Sequence, residues 1–302
     1  MINVTTDPIY ANVLNENAYS TRQKLIKLIQ EKLGGKLICY VESAEHPLSG
    51  ISQHDPPYFE DLLRTTAESK KGFLLLNSAG GNPNSAEKLL MMCRKRFTEE
   101  FTIIVPNFAK SAATMMCLGS DKIMMGYLAE LGPIDPQIFT APNTAPIPAR
   151  SFIDGLELVR KNVKDGDPAA MYLSMLQRIP PELISICRTA IEDSRTFAES
   201  WLSKYMLKNN SDQAKKVAQW LSEGDKYKSH GKVIDYQEAK NELQLNVESI
   251  DPLSELWYWI WELYVRSSLF IKTRGIGAAK LYESDMTSLI LNIDIIQQRP
   301  MK

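Results

Sequence analysis

Four short, almost wholly apolar runs recur in the first 125 residues: KLICYVES at 36–43, GFLLLN at 72–77, TIIVP at 102–106 and DKIMM at 121–125. A segment of helical pattern lies between each pair. Strands that alternate with helices at this spacing join in parallel through helical crossovers, so the pattern predicts βαβ units and a largely parallel sheet. Ahead of the first run, residues 21–34 carry Leu25, Ile26, Ile29 and Leu33 at helical spacing and stop at Gly34-Gly35. The helix between the second and third runs is expected from about Ser85 to Phe97, with Ser85 as its cap. Residues 137–148 hold Pro142, Pro146 and Pro148 and read as an extended loop. Residues 151–222 are mostly helical in pattern, with breaks at 166–168 and 180–181. The stretch 223–247 mixes loop, short strand and helix, and the last fifty residues read as an aromatic helical tail.

The 302 residues include 35 Lys plus Arg and 36 Asp plus Glu, a formal charge of −1, which argues against a dedicated nucleic-acid surface. With 44% hydrophobic and 24% charged residues the chain has the balance of a globular protein. Cys39, Cys93, Cys117 and Cys187 lie far apart with no CxxC pair, which excludes a zinc cluster or disulfide framework and suits a reducing cytoplasm. Residues 1–20 show no basic segment followed by an apolar one, so no secretory leader is expected. The nearest approach to a transmembrane span, residues 253–271, is interrupted by Glu255, Glu262 and Arg266, and a soluble protein is expected. The methionines at 91, 92, 115, 116, 124 and 125 read as core filler. In the tail, Trp257, Trp261, Val265 and Leu269 follow an i, i+4 stripe that buries against its own domain or docks on a partner.

Two strand-to-helix junctions carry residues suited to chemistry. At Asn77-Ser-Ala-Gly-Gly81 the paired glycines let backbone N–H groups point into one small volume and let a ligand come close. Taken alone it is also compatible with a plain tight turn. At Asn107-Phe-Ala-Lys-Ser-Ala-Ala113, Ser111 falls at the start of a helix of small residues, where a developing anion is favoured, or where a serine simply caps.

The two junctions in this order, about thirty residues apart, resemble the ClpP/crotonase superfamily and its peptidases related to ClpP and signal peptide peptidase A. The closest resemblance is to the serine dehydrogenase proteinase family, the SDH-type ClpP-class serine proteases. It rests on LLLNSAGGNPNSAEKL at 74–89, IIVPNFAKSAATMMCLGSDKIMM at 103–125, LGPIDPQI at 131–138 and SHGKVIDYQEAKNELQLNV at 229–247. It implies an α/β, ClpP/crotonase-like peptidase domain over residues 1–250, with a helical C-terminal extension over 251–302. It also implies peptide-bond hydrolysis through an acyl-enzyme on Ser111, with the backbone N–H of Gly80 or Gly81 and of Ala112 as the oxyanion hole. No cofactor or metal is implied, the substrate is a peptide or protein, and the assembly is a homo-oligomer.

The base departs from the family pattern. Where ClpP-type enzymes place a histidine, about two dozen residues after the serine, this chain has Asp135. Of its three histidines, His46, His54 and His230, the last precedes the block resembling the region of the third catalytic residue. A triad of Ser111, His230 and Asp135, with base and orienting acid exchanged between loops, satisfies the chemistry. Lys161 and Lys164 have the spacing for a serine–lysine dyad, which requires burial to depress the amine. Lys110 adjoins the serine, but neighbouring side chains diverge there, so a solvated charge or an oligomer contact is expected of it. A catalytically silent scaffold and, third, a crotonase-type acyl-thioester enzyme are the rival readings.

Overall fold

The computed structural model describes residues 17–292 apart from 44–45, 67–68, 141–144, 178, 225 and 274–277, together with Ile9 and Val13. The segment read above for a leader, and residues 293–302 of the tail, lie outside the described residues. The chain forms two compact units, Met1–Leu131 with Val233–Lys302, and Gly132–Lys232.

In the first unit, helix α1 (Tyr19–Leu33) turns Leu25, Ile26 and Ile29 inward and ends where Gly34 takes a left-handed φ of 70°. There follow β1 (Lys36–Glu42), α2 (Asp55–Arg64), β2 (Lys71–Asn77), α3 (Pro83–Arg96), β3 (Glu100–Val105), β4 (Phe108–Ala109), α4 (Ala112–Leu118), β5 (Lys122–Met125) and β6 (Glu130–Leu131). Helix α3 is capped by Asn82, whose side chain accepts the Ser85 N–H at 2.9 Å. The expected Ser85 cap is thus displaced: Pro83 lacks an N–H and starts the helix two residues earlier.

The second unit holds a short antiparallel pair, β7 (Gln137–Ile138) and β8 (Ile147–Pro148), inside the expected extended loop. Helix α5 (Ala149–Lys164), a 3₁₀ turn (Ala169–Tyr172), α6 (Leu173–Leu176), α7 (Pro181–Lys204) and α8 (Ser211–Ser222) complete it, with helical breaks at the two expected places and a further one at 205–210. Ala149, Ile153 and Cys187 form a small core here, with Phe152, Leu183 and Ile191 against it.

The first unit then resumes with α9 (Tyr236–Asn241), β9 (Val247–Ser249), α10 (Glu255–Thr273), β10 (Ala278–Glu283) and β11 (Ser288–Asn292). The helical tail expected from the sequence is helical only over α10; two strands follow it. Its seven-stranded sheet has the order β11-β10-β1-β2-β3-β5-β9. From β1 to β9 every pairing is parallel, through Ile38↔Leu74, Leu74↔Ile103, Ile103↔Ile123 and Ile123↔Val247. The last two strands add antiparallel at the β1 edge. Mixed α/β with a mostly parallel sheet is therefore the fold, as the alternating runs predict.

One face of the sheet packs on α1 and α10, joining Leu25, Ile26, Ile29, Leu37, Val41, Phe73, Leu75, Ile260, Leu263 and Val265 in a single core. Trp257, Trp261 and Leu269 pack against that core, and every residue from 255 to 271 is buried or half-buried. The aromatic stripe is covered by its own unit. Gly126 makes room for it, since a Cβ there lies 2.1 Å from Trp257 Cη2. Met115, Met116, Met124 and Met125 are buried as expected, whereas Met91 is exposed on α3. No helix among the described residues is long and apolar enough to cross a membrane.

Buried charges stitch the ends of the chain together. Arg22 on α1 grips Glu283 on β10 through Nε and Nη2, at 2.9 and 2.7 Å, with both side chains fully inaccessible. Lys280 on β10 meets Asp55 at 2.7 Å, again fully buried, and the Tyr282 hydroxyl donates to the same carboxylate.

Candidate active site

The C-terminal ends of β2 and β3 feed two loops that lie side by side. Ser78 pairs with Ala109 in a parallel bridge, with the Ser78 N–H on the Phe108 carbonyl at 3.1 Å and the Lys110 N–H on the Ser78 carbonyl at 3.0 Å. On its other side the turn bridges Ile51 through Gly81, with the Ile51 N–H on the Gly80 carbonyl at 2.6 Å. Further pairings, Ala109↔Leu131 and Leu131↔Ile234, extend this ribbon. The loops are thus held by main-chain bonds on both flanks, and their backbone has little freedom to relax.

Two glycines permit that crowding. Gly80 has φ 102°, and a Cβ on it falls 2.6 Å from the Lys110 carbonyl oxygen, 2.7 Å from Ser111 Cβ and 3.0 Å from the Ala112 nitrogen. Gly81 has φ 139°, and a Cβ there falls 2.4 Å from the Ile51 oxygen. The first glycine therefore brings its Cα flush against the serine, and the second seats the turn on the Ile51 strand.

Ser111 itself is held at φ 50°, ψ −122°. Non-glycine residues at positive φ carry strain of about 1–3 kcal/mol, and a strained strand–turn–helix elbow is a device that presents a serine hydroxyl outward. Although Ser111 occupies the cap position of α4, its side chain makes no capping bond. The seven-residue α4 leaves the local N–H groups, rather than a long dipole, as the source of positive potential. The Gly80 N–H donates to Ser78 Oγ at 3.0 Å. The N–H groups of Gly81 and Ala112 donate to no partner among the described residues. A serine oxygen, a close-fitting glycine and two uncommitted amide donors are the parts needed to attack a carbonyl and hold the resulting oxyanion.

Lys110, next to the serine, is engaged within its own unit. Its amine pairs with Glu130 at 3.0 Å and donates to the Leu131 carbonyl at 3.1 Å, bracing β4 against β6. The sequence-based expectation of a solvated or intersubunit charge gives way to an ion pair within the unit.

The second unit carries its own polar pair. His230 Nδ1 lies 2.7 Å from Asp135 Oδ1, the carboxylate side chain 6% exposed and the imidazole 31%. Asp135 Oδ2 accepts the Gln137 side-chain N–H at 2.7 Å, so both carboxylate oxygens are occupied. An ionised carboxylate only accepts, so a neutral imidazole paired with it carries its proton on Nδ1 and its lone pair on Nε2, the tautomer of a general base. Of the other two histidines, His46 is buried and accepts the Leu48 N–H on Nδ1, and His54 is exposed. Lys161 and Lys164 are exposed on α5, so the burial that a lysine base requires is absent at both. Among the described residues no group of three or more His, Cys, Asp or Glu side chains could hold a metal ion.

Sequence reading overlooked Glu42, which lies behind the glycine turn. Its signal was a carboxylate at the end of an otherwise apolar strand, directly before a loop.

Against known proteins, residues 9–272 match the family described as ClpP-like SDH-type serine proteinase. Two uncharacterized proteins of Methanocaldococcus jannaschii are similar. MJ0137 is 28% identical over 250 residues, covering 80% of this chain and 78% of the relative. MJ1495 is 25% identical over 223 residues, covering 72% and 68%. Among solved structures the chain is similar to the 1510-N membrane-bound stomatin-specific protease. One serine-to-alanine mutant of it gives a TM-score of 0.43 at 14% identity over 67% of this chain and 75% of that one. A lysine-to-alanine mutant, in complex with a substrate peptide, gives 0.43 at 15% over 80% and 83%.

Proposed function

The chain belongs to the ClpP-like SDH-type serine proteinase family, and from that premise we propose that it hydrolyses peptide bonds with Ser111 as nucleophile. The observation that carries the reading is the Ser111 elbow, with φ 50°, a hydroxyl free of capping and Gly80 flush against it. In the proposed cycle Ser111 Oγ attacks the scissile carbonyl carbon while its proton passes to His230 Nε2. Asp135 holds the imidazole and offsets its charge once protonated. The tetrahedral oxyanion takes N–H bonds from Gly81 and Ala112, with Gly80 supplying the approach. Collapse expels the amine, which receives the proton from His230, and water then cleaves the acyl-enzyme by the same route. The substrate is a peptide or protein, and no cofactor enters. The four cysteines are free, buried thiols, which fits a reducing compartment such as the cytoplasm. The test is fluorophosphonate labelling of the purified chain with the adduct mapped by mass spectrometry. An adduct on Ser111 is expected; its absence, or an adduct elsewhere, ends the reading.

Two glycines separate catalysis from stability. Gly80→Ala drives a methyl group into the Ser111 backbone, and a disturbed oxyanion site costs about 100-fold or more in turnover. Gly34→Ala, at φ 70° with nothing within 4 Å of the new methyl, costs about 1–2 kcal/mol of stability and leaves turnover unchanged. Thermal melts run beside the labelling assay check both.

A homo-oligomer accompanies this proposal. Within the second unit Leu158, Met171, Leu173 and Ile186 are exposed, more large apolar side chains than a solvated helical surface favours. Light scattering is expected to give a multiple of the chain mass, and a monomer at micromolar concentration rejects the assembly.

A further inference from the structure

Glu42 closes β1 and is only 3% exposed, yet it carries a carboxylate. Its Oε1 accepts the Ala79 N–H at 2.5 Å, and its Oε2 accepts the Gly50 N–H at 2.8 Å and the Tyr40 hydroxyl at 3.3 Å. The Ser78 hydroxyl also donates to it, while accepting the Gly80 N–H at 3.0 Å. Four donors thus meet one carboxylate, which in its ionised form offers about four lone-pair sites. Two of the four, the Ala79 N–H and the Ser78 hydroxyl, belong to the glycine turn, and Ser78 relays a second turn amide, that of Gly80. Gly50 adjoins Ile51, the residue that seats the turn from the other side, where the Asn82 N–H meets the Ile51 carbonyl at 2.8 Å.

We propose that Glu42 is a positioning residue for the oxyanion turn: its carboxylate fixes the peptide planes of residues 78–81, so that the Gly81 N–H stands ready beside Ser111. The inference rests on the serine-peptidase reading and deepens it. Burial pushes the Glu42 carboxyl above its ordinary value, and the Ser78 hydroxyl, the Ala79 and Gly50 N–H groups and the Lys280 charge oppose that push. The contacts that orient the turn are therefore the same ones that favour the charged carboxylate against its burial.

Glu42→Gln keeps the side-chain volume but replaces one acceptor with an NH₂ group that faces a backbone N–H. The turn must move, while the substrate surface stays intact. With a fluorophosphonate as probe, the maximal inactivation rate is expected to fall about 30-fold with the apparent binding constant within about threefold, since oxyanion donors act in the transition state. Ser78→Ala removes only the relay to the Gly80 N–H and is expected to lower the same rate about tenfold. It decides the matter if Glu42→Gln fails to fold. A wild-type rate in either folded variant overturns the inference, as does a loss confined to binding. No Ser111 adduct in the wild-type chain overturns the peptidase reading and takes this inference with it.

Discussion

Ser111→Ala abolishes fluorophosphonate labelling and peptide cleavage, with turnover falling by a factor on the order of a million, the loss typical of a triad nucleophile. The fold survives the change. The Ser111 hydroxyl makes no capping bond, so its removal leaves no buried group unpaired, and the stability change stays within about 1 kcal/mol. Alanine inherits the same strained φ of 50°, so the backbone elbow is unaltered. A thermal melt matching wild type alongside lost activity is the expected pair of results. Labelling at full strength in the mutant would falsify the assignment of Ser111.

Deleting residues 251–302 leaves a chain with no cooperative unfolding transition. From the sequence alone this segment is a helical extension whose loss is expected to change oligomer size or solubility. In the fold it shares with α1 the covering of one face of the sheet, through Ile260, Leu263 and Val265, and supplies two strands at the β1 edge. It also supplies the partners of Arg22 and Asp55, both fully buried. Removing one partner of a buried ion pair costs about 3–5 kcal/mol, and two such losses alone approach the whole stability of a domain, about 5–15 kcal/mol. Far-UV circular dichroism through a urea titration reads this directly. A sigmoidal transition near the wild-type midpoint refutes the structural role of the tail.

The parallel half of the sheet was legible because its strands need no partner to announce themselves. KLICYVE, GFLLLN and their successors are apolar on both faces, and Gly34 marks a helix end by its own backbone preference. Strands β10 and β11 were not legible for the opposite reason. AAKLYE is built of residues at home in a helix, it trails a long helix, and only pairing with β1 makes it extended. Asn82 beat Ser85 to the cap because Pro83 is a better first helical residue than anything after it. At the site, Gly80, Gly81, Ser111 and Ala112 could be named from sequence because tight turns and helix starts are local events. The approach of Gly80 to Ser111, across about thirty residues, was not a local event. The His230–Asp135 bond, between residues 95 apart, could be guessed as chemistry but not seen as contact. Glu42 and its donors were invisible, since a carboxylate at a strand end gives no hint of what will surround it.

The ion pair between Arg22 and Glu283 joins residues 261 positions apart, and that separation governs when during synthesis the molecule can fold. A ribosome delivers α1 and its buried guanidinium long before the answering carboxylate. Contacts of such long range are slow to form, because the intervening loop must close before any of them is rewarded. Until β10 and β11 are made, the chain therefore holds Ser111 without the finished framework that presents it. On the proposed peptidase reading this ordering works as a delay: Ser111 gains its finished framework only when β10 and β11 arrive. Nascent chains arrested before residue 278 are the place where it is read, as full-length polypeptide up to that point with no fluorophosphonate adduct.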